Sequence, residues 1–183
     1  SYSCEKYINN CGDCPQQNFP SSKDISYKVL NEKKKFNLDS LLVICPSKWI
    51  HDCAKRSKLF NNCDLHIIST GVDLNTFSPK NKLESRNKLE LDNSKKYILF
   101  GAMNATNDKR KGWEYLKKSL NEMKKHNLLN NFELMIFGNE NNNEIPNLDI
   151  KINYFNQIYD EKILSMIYSS ADVFVSPAIA ENL

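Results

Sequence analysis

The feature that most constrains the fold is an alternation of short apolar runs with amphipathic segments between residues 95 and 177. Two of the apolar runs, "KKYILFG" (Lys95–Gly101) and "FELMIFG" (Phe132–Gly138), end in a glycine. Between them, from about Gly112 to His126, apolar residues recur three or four positions apart, which is the spacing of a helix with one buried face. Strands that alternate with such helices predict parallel βαβ units and an α/β fold.

The pattern continues towards the end of the chain. The run "IKINYF" (Ile150–Phe155) predicts a third strand, a helix is expected near Asp160 to Ser169, and "DVFVSP" (Asp172–Pro177) predicts a buried strand. Ligands of parallel sheets bind beyond the carboxyl ends of the strands. We therefore expect the loops that follow these four strands to form one edge, after Phe100, Phe137, Phe155 and Val175.

The residues before the alternation predict a different organisation. Residues 1–37 are polar and bear cysteines, with a short helix expected around Ser26 to Phe36 whose lysine run is interpreted as a solvated face. Residues 38–79 predict the end of a first domain and a linker, with "LLVIC" (Leu41–Cys45) as a buried strand and Ser47 as a helix N-cap. Residues 80–183 then form an incomplete second domain.

Bulk composition excludes some functions. The formal net charge of +3 is too small to indicate a nucleic-acid partner. No apolar run approaches the roughly 20 residues that span a bilayer, and no signal segment opens the chain, so a cytoplasmic protein is expected. Because the chain lacks an initiating methionine and stops at "VSPAIAENL", we expect a fragment truncated at both ends.

Three of the six cysteines, Cys4, Cys11 and Cys14, form a C-x6-C-x2-C pattern. In a cytosolic protein this spacing is typical of a structural zinc knuckle, with a fourth ligand from before Ser1 or from His51 or Cys63. Ordinary thiols, and redox or disulfide chemistry, stay open as alternatives.

The basic cluster Lys109–Lys111 lies where the helix after Gly101 begins. Free N–H groups and the helix dipole at such a position favour an anion, and a phosphate would offset the cost of placing cations there. Screening by water and salt is the alternative. The sequence contains neither G-x-x-x-x-G-K-[ST] nor G-x-G-x-x-G, which disfavours P-loop enzymes and nicotinamide-dependent enzymes.

The last apolar run is followed by Glu181 in "SPAIAENL". A carboxylate just beyond a sheet edge can accept hydrogen bonds from sugar hydroxyls or stabilise developing positive charge. The alternative is that Glu181 begins or caps a helix.

These pieces, in their order, resemble the family 4 retaining glycosyltransferases, whose GT-B fold has two facing Rossmann-like domains. The resemblance is carried by "VICPSKWI", "GVDLNTFSP", "ILFGA…KRKGWEYL", "MIFG" and "YSSADVFVSPAIAEN". The "CGDCPQ" segment is similar to a cysteine-bearing loop of a bacterial subgroup that assembles surface polysaccharides. The resemblance implies that residues 80–183 are the Rossmann-like, donor-binding half.

The resemblance also implies roles for particular residues. Lys111, with Arg110 beside it, matches the position that contacts the donor diphosphate, and Glu181 matches the first of two glutamates near the donor sugar. The remaining donor-site positions are the strand-ending glycine, the backbone that cradles the base, and the turn that approaches the phosphates: Gly101, Ile158, Asn182 and Leu183. The second glutamate would fall beyond Leu183. Ala102 departs from the family, because many members have an arginine there.

The implied activity is transfer of a hexosyl group from a UDP- or GDP-sugar to a glycan or lipid-linked acceptor, with retention of anomeric configuration. Lys111 and Glu181 would be the catalytic residues, no catalytic metal is expected, and the fragment alone is expected to be inactive. The full-length enzyme would be cytoplasmic or held peripherally at the inner membrane. Two alternatives stay open: a non-catalytic phosphate- or nucleotide-binding α/β module with a zinc knuckle, and another GT-B-like or Rossmann enzyme such as an epimerase or phosphorylase.

Overall fold

The computed structural model describes residues 4–139 and 148–181, which divide into two compact units. One unit contains the described residues up to Gly71 together with Glu181, and the other contains Val72–Ala180. The domain boundary predicted from the sequence lies at residue 80. The predicted donor-site residues Asn182 and Leu183 lie outside the described residues.

The first unit contains one parallel βαβ unit. A 3-10 turn (Lys6–Ile8) and helix α1 (Ile25–Lys33) precede strand β1 (Leu42–Cys45), helix α2 (Lys48–Arg56) and strand β2 (Asp64–Ile67). Strands β1 and β2 pair in parallel, with Val43 opposite Leu65. The predicted N-cap of α2 is confirmed, because the Ser47 hydroxyl accepts a hydrogen bond from the Ile50 N–H at 3.3 Å.

The prediction that β1 is a buried strand is wrong for one of its two faces. Cys45 is buried, but Leu42 and Ile44 are 60% and 57% exposed. Successive strand residues point to opposite faces of a sheet. The side chains of Leu42 and Ile44 are two positions apart, so they share one face. Among the described residues of this unit, that face is largely uncovered, and an apolar run in the sequence carries no information about what covers it.

Asp24 fastens the cysteine-bearing loop to α1. Its side chain is buried and is the N-cap of the helix, where one oxygen (Oδ1) accepts hydrogen bonds from the N–H groups of Ser26 and Tyr27. The other oxygen (Oδ2) accepts from the Cys14 N–H at 2.8 Å. These bonds, led by the one from Cys14, lower the pKa of the Asp24 carboxyl well below its usual range.

The second unit is a parallel α/β domain. Its elements are α3 (Lys82–Lys88), β3 (Lys96–Gly101), a 3-10 turn (Lys109–Lys111), α4 (Trp113–Lys125), β4 (Phe132–Asn139), β5 (Ile152–Asn156), α5 (Glu161–Ser170) and β6 (Val173–Phe174). The strand order is β5-β4-β3-β6, and every pair is parallel. The predicted alternation and parallel sheet are confirmed.

Alternate residues of β3 and β4 point to opposite faces of this sheet, and each face is covered by a hydrophobic core. The core on the α4 side contains Ile98, Phe100, Trp113, Leu116, Leu120, Leu134 and Ile136. The core on the α5 side contains Leu91, Tyr97, Leu99, Met135, Phe137 and Ile167. The sheet is therefore the middle layer of three.

The predicted final strand is shorter and less buried than expected. Its two residues Val173 and Phe174 are 46% and 43% exposed, because β6 is the edge strand of the described sheet. Its pairing with β3 nevertheless extends one residue each way, since the N–H groups of Asp172 and Val175 donate to the carbonyls of Tyr97 and Leu99 at 3.0 and 2.8 Å.

An ion pair between the buried Arg86 and the partly exposed Asp172 joins α3 to both β3 and β6. The Arg86 side chain is 5% exposed, donates to Asp172 at 2.7 Å and to the Ser170 carbonyl at 2.9 Å, and lies over the Tyr97 ring. Burial alone would raise the pKa of the Asp172 carboxyl, but hydrogen bonds from the Tyr97 N–H and Lys82, with the charge of Arg86, outweigh it and lower that pKa.

Replacing Arg86 by methionine should strongly destabilise the second unit, because it leaves the Asp172 carboxylate and the carbonyls of Ser170 and Lys95 without their buried donor. We expect Arg86→Met to lower the free energy of unfolding by about 3 kcal/mol in urea titrations. The control Lys82→Met removes the exposed partner of the same carboxylate and should cost less than about 1 kcal/mol. Equal losses in the two variants would contradict the assignment.

Acid should weaken the first unit through Asp24. A carboxyl whose pKa is lowered by folding contributes stability above its unfolded pKa of about 3.9, and that contribution is lost as the pH falls below it. We expect the urea midpoint of the wild type to fall between pH 5 and pH 3, and Asp24→Asn to start lower and fall less. The control Asp39→Asn, at an exposed position, should follow the wild-type profile.

Candidate functional site

The carboxyl ends of β3 and β4 meet closely at Gly101. This glycine ends β3 and lies opposite Phe137 of β4 in the register. A Cβ at Gly101 would lie 2.1 Å from the Phe137 ring. The predicted donor-site glycine is thus a point where the Phe137 ring packs directly on the backbone at the end of β3.

Gly138 brings the loop after β3 against the end of β4. It has a φ of +98°, and a Cβ there would lie 2.0 Å from the Ala102 carbonyl oxygen. The Asn104 N–H donates to the Gly138 carbonyl at 2.8 Å. Sequence reasoning assigned Gly138 to the end of a strand but gave it no role in the site, although its position directly after "FELMIF" was a usable signal.

The basic cluster forms a 3-10 turn (Lys109–Lys111) that is capped by Asp108. The Asp108 carboxylate accepts from the Arg110 backbone N–H at 2.9 Å and from the Arg110 guanidinium at 2.7 Å. The hydrogen bonds from the Arg110 side chain, and after them the one from its backbone N–H, lower the pKa of the Asp108 carboxyl. Sequence reasoning missed Asp108, although an aspartate two residues before Arg110 is a recognisable capping signal.

Lys111 is the last residue of this turn, and Gly112 joins it to α4. Gly112 has a φ of +77°, and a Cβ there would lie 2.0 Å from the Pro177 carbonyl oxygen. The Ile179 N–H donates to the Arg110 carbonyl at 2.9 Å. The loop after β6 is therefore held directly against the basic turn by main-chain atoms.

The start of α4 favours an anion. Gly112 occupies the N-cap position and has no side chain to bond the first N–H groups of the helix. The unfilled hydrogen-bonding capacity and the dipole of a helix N-terminus attract negative charge. Lys111 and this helix start are adjacent in the chain, so together they can bind a phosphate.

Ile158 lies between β5 and α5, half-buried against the core on the α5 side. It follows the carboxyl end of β5, and its place near a nucleotide base stays a prediction. Glu181 is exposed and groups with the first unit. The carboxyl-end loops of the second-unit sheet thus contain four of the predicted site residues: Gly101, Arg110, Lys111 and Ile158. Glu181 belongs to the first unit.

The cysteine assignment stays a prediction. Cys4, Cys11 and Cys14 are half-buried free thiols, and burial, followed by the charges of Cys4 and Cys14, raises the pKa of Cys11. Within residues 4–139 and 148–181, no group of three or more His, Cys, Asp and Glu side chains is arranged to hold a metal ion. Of the suggested fourth ligands, the Cys63 thiol donates to the Leu38 carbonyl and His51 contacts Asp52.

No protein-family model matches the sequence, and no curated protein sequence matches it. Solved structures do match its fold. Sucrose-phosphate synthase from Thermosynechococcus elongatus is 21% identical, with a TM-score of 0.64 over 89% of this chain and 41% of that chain. WaaG, a glycosyltransferase involved in lipopolysaccharide biosynthesis, is 18% identical, with a TM-score of 0.62 over 85% of this chain and 43% of that chain.

The chain has a GT-B-type α/β fold. The prediction of a Rossmann-like half of a GT-B protein is confirmed. The matched region spans less than half the length of these two proteins, 41% and 43%. At this level of identity the likeness shows the fold, while the activity depends on the site. No helix in the described part of the chain is both long enough and apolar enough to cross a membrane.

Adding one methyl group at Gly112 should disturb the basic turn. Gly112→Ala would force a side chain into a left-handed backbone and against the Pro177 carbonyl, so we expect a loss of about 2 kcal/mol or more in the free energy of unfolding. Tryptophan fluorescence during urea titration reports it, since Trp113 is the next residue. The control Gly71→Ala meets nothing within 4 Å and should leave stability unchanged.

Proposed function

We propose that the chain is part of a family 4 retaining glycosyltransferase that moves a hexosyl group from a UDP- or GDP-sugar to a glycan or lipid-linked acceptor. The bacterial assembly of surface polysaccharide is the proposed setting, and the cytoplasm the proposed compartment. The observation that supports this most strongly is the basic turn Lys109–Lys111 at the start of α4, to which the loop after β6 is bonded. The fold is one that glycosyltransferases share.

The proposed role of the basic turn is to stabilise negative charge. When the sugar leaves, negative charge grows on the β-phosphate of the departing nucleoside diphosphate. Lys111 and the N–H groups at the start of α4 would stabilise that charge, which lowers the barrier most where the donors are fixed before reaction. The contacts of Gly112 with Pro177 and of Arg110 with Ile179 supply that fixing. In this proposal the cations supply the stabilisation, so no catalytic metal is invoked.

Arg110 is proposed as the second diphosphate ligand. Its guanidinium is bonded to Asp108 through Nε and Nη2, so contacting a phosphate requires it to share or exchange these bonds. The Asp108 carboxylate also reduces the net positive charge beside Arg110. For both reasons we rank Lys111 ahead of Arg110.

The remaining roles follow the resemblance. Ile158, after β5, is proposed to lie where backbone atoms cradle the nucleotide base. Gly101 is proposed as the glycine that ends the first strand of the donor domain, where the Phe137 ring occupies the space of a side chain. Glu181 is proposed to accept hydrogen bonds from hydroxyls of the donor sugar. A structural zinc at Cys4, Cys11 and Cys14 is a separate proposal that the transfer reaction does not need.

Lys111→Ala should reduce both nucleotide binding and transfer. In calorimetric titrations of the chain with UDP and GDP, we expect the preferred nucleotide to lose about tenfold in affinity, which corresponds to one charge-assisted hydrogen bond. In a longer protein that contains the chain and the rest of the donor site, transfer should fall by about 10²–10³-fold. The melting temperature should stay unchanged, because Lys111 lies in a surface turn.

Lys109→Ala is the matched control, because it removes the same charge from an exposed position of the same turn. It should change affinity less than twofold. Wild-type turnover in Lys111→Ala would contradict the proposal. Binding of inorganic phosphate with the same affinity as UDP and GDP would favour the non-catalytic binding module instead.

A further inference from the structure

An open cavity of about 720 Å³ lies in the second unit, between α3, α5 and the loop before α3. Its lining, which defines the α3–α5 cavity, includes Asn75, Lys80, Asn81, Ser85, Lys88 and Lys162. No described residue of the candidate donor site belongs to this lining. The volume is within the range of about 300–1,000 Å³ that is usual for small-molecule sites, so the cavity is large enough for a ligand.

The walls of the α3–α5 cavity are fastened to one another. The Ser165 hydroxyl of α5 donates to the Thr76 carbonyl at 2.8 Å, and the Lys80 N–H donates to the Ser169 hydroxyl at 3.1 Å. These two bonds hold the loop before α3 against α5. The bond from the Arg86 guanidinium to the carbonyl at the end of α5 holds α3 there as well. The cavity is therefore formed before any ligand arrives.

Ser85 is the buried polar residue of the lining. It is 2% exposed, yet its hydroxyl makes no hydrogen bond with any described residue. The other two buried serines described in the second unit differ, because the hydroxyls of Ser165 and Ser170 donate to the carbonyls of Thr76 and Ile167 at 2.8 Å. A buried hydroxyl without a partner costs free energy. Ser85 thus offers the cavity a donor and an acceptor that the fold does not use.

The cations of the cavity are three lysines. Lys80, Lys88 and Lys162 line it, and neither Lys88 nor Lys162 forms an ion pair with any described residue. The Lys80 ammonium donates to the Ser78 hydroxyl at 3.0 Å, so it is held in place without being neutralised. Glu84 is the acidic residue of the lining, which leaves a net charge of +2. A preformed cavity with this charge favours a dianion such as a phosphate monoester.

The remaining polar side chains suit hydroxyl groups. Asn75 and Asn81 contribute amide groups to the lining, and the Glu84 carboxylate can accept hydrogen bonds from hydroxyls. Among the described residues that line the cavity, none is aromatic, so a nucleobase would have no ring on which to stack. A polyol that carries one phosphate therefore matches these groups better than a nucleotide does.

We propose that the α3–α5 cavity binds a phosphorylated polyol, with its phosphate at the lysines and its hydroxyls at Ser85 and the two asparagines. Ser85 and Lys88 are three positions apart on α3, so both can contact one ligand. The site shares no residue with the basic turn Lys109–Lys111. The proposal goes beyond the proposed sugar transfer and does not depend on it.

Calorimetric titration of the purified chain with sorbitol 6-phosphate tests the proposal. Inorganic phosphate and sorbitol are the comparison probes, and each should bind at least about tenfold more weakly, because each offers only part of the contacts. About 0.5 M NaCl should weaken binding of the phosphorylated probe, since it screens the lysines. In NMR spectra, the amide signals of Ser85, Lys88 and Lys162 should shift when sorbitol 6-phosphate is added.

Three substitutions in the cavity should weaken binding of sorbitol 6-phosphate. Lys88→Gln and Lys162→Gln should each weaken it about tenfold, since each removes a charge-assisted hydrogen bond. Ser85→Ala should weaken it about fivefold and leave the melting temperature unchanged or raised, because the lost hydroxyl has no partner in the fold. The melting temperature separates a binding role from a structural one, since loss of a hydroxyl that supported the fold would lower it.

Two control variants locate the binding. Lys118→Gln removes an exposed lysine of α4, and Lys111→Ala removes a cation of the basic turn. Neither should change the affinity for sorbitol 6-phosphate. Because Lys111→Ala is expected to weaken nucleotide binding, the two proposals can fail separately.

Four results would overturn the proposal. They are no calorimetric or NMR response to millimolar sorbitol 6-phosphate, equal affinity for this probe and inorganic phosphate, and unchanged affinity in both Lys88→Gln and Lys162→Gln. The fourth is loss of binding in Lys111→Ala, which would assign the ligand to the basic turn. A lower melting temperature of Ser85→Ala would contradict the role given to its hydroxyl.

Discussion

The ion pair of the buried Arg86 with Asp172 is the interaction on which the site-bearing unit depends. A buried guanidinium requires a full set of acceptors, and here they come from the residue before β6, from the end of α5 and from the residue before β3. The same carboxylate accepts from the Tyr97 N–H, so it sets where β6 joins β3. Since β6 has only two residues, this anchoring compensates for a short ladder and fixes the loop that follows.

That loop completes the candidate site. Pro177 and Ile179 reach the basic turn at Gly112 and Arg110, so the position of the cations follows from the position of β6. In the same way, Gly138 allows the loop after β3 to pack directly against the end of β4. The site is thus assembled from three loops that pack backbone to backbone, a closeness that only glycine allows at these two points.

The sequence was sufficient to predict the parallel sheet, the α4 and α5 helices and the location of the cations, because strand and helix periods are local properties. It could not predict that Leu42, Ile44 and Val173 would be exposed, since burial depends on what packs against a strand. Asp108 and Gly138 each had a local signal, an aspartate two residues before Arg110 and a glycine directly after a strand. The contact of Gly138 with the loop at Ala102 joins distant parts of the chain, so the signal alone does not give it.

The contacts between the basic turn and the loop after β6 have a consequence for how such a site can change. Both use main-chain atoms of the loop: the Pro177 carbonyl and the Ile179 N–H. The side chains of Ala178 and Ala180 take no part in them. Residues at these two positions can therefore be exchanged without breaking the contacts that hold the loop against the basic turn. This separation makes the loop a natural target for a combinatorial library.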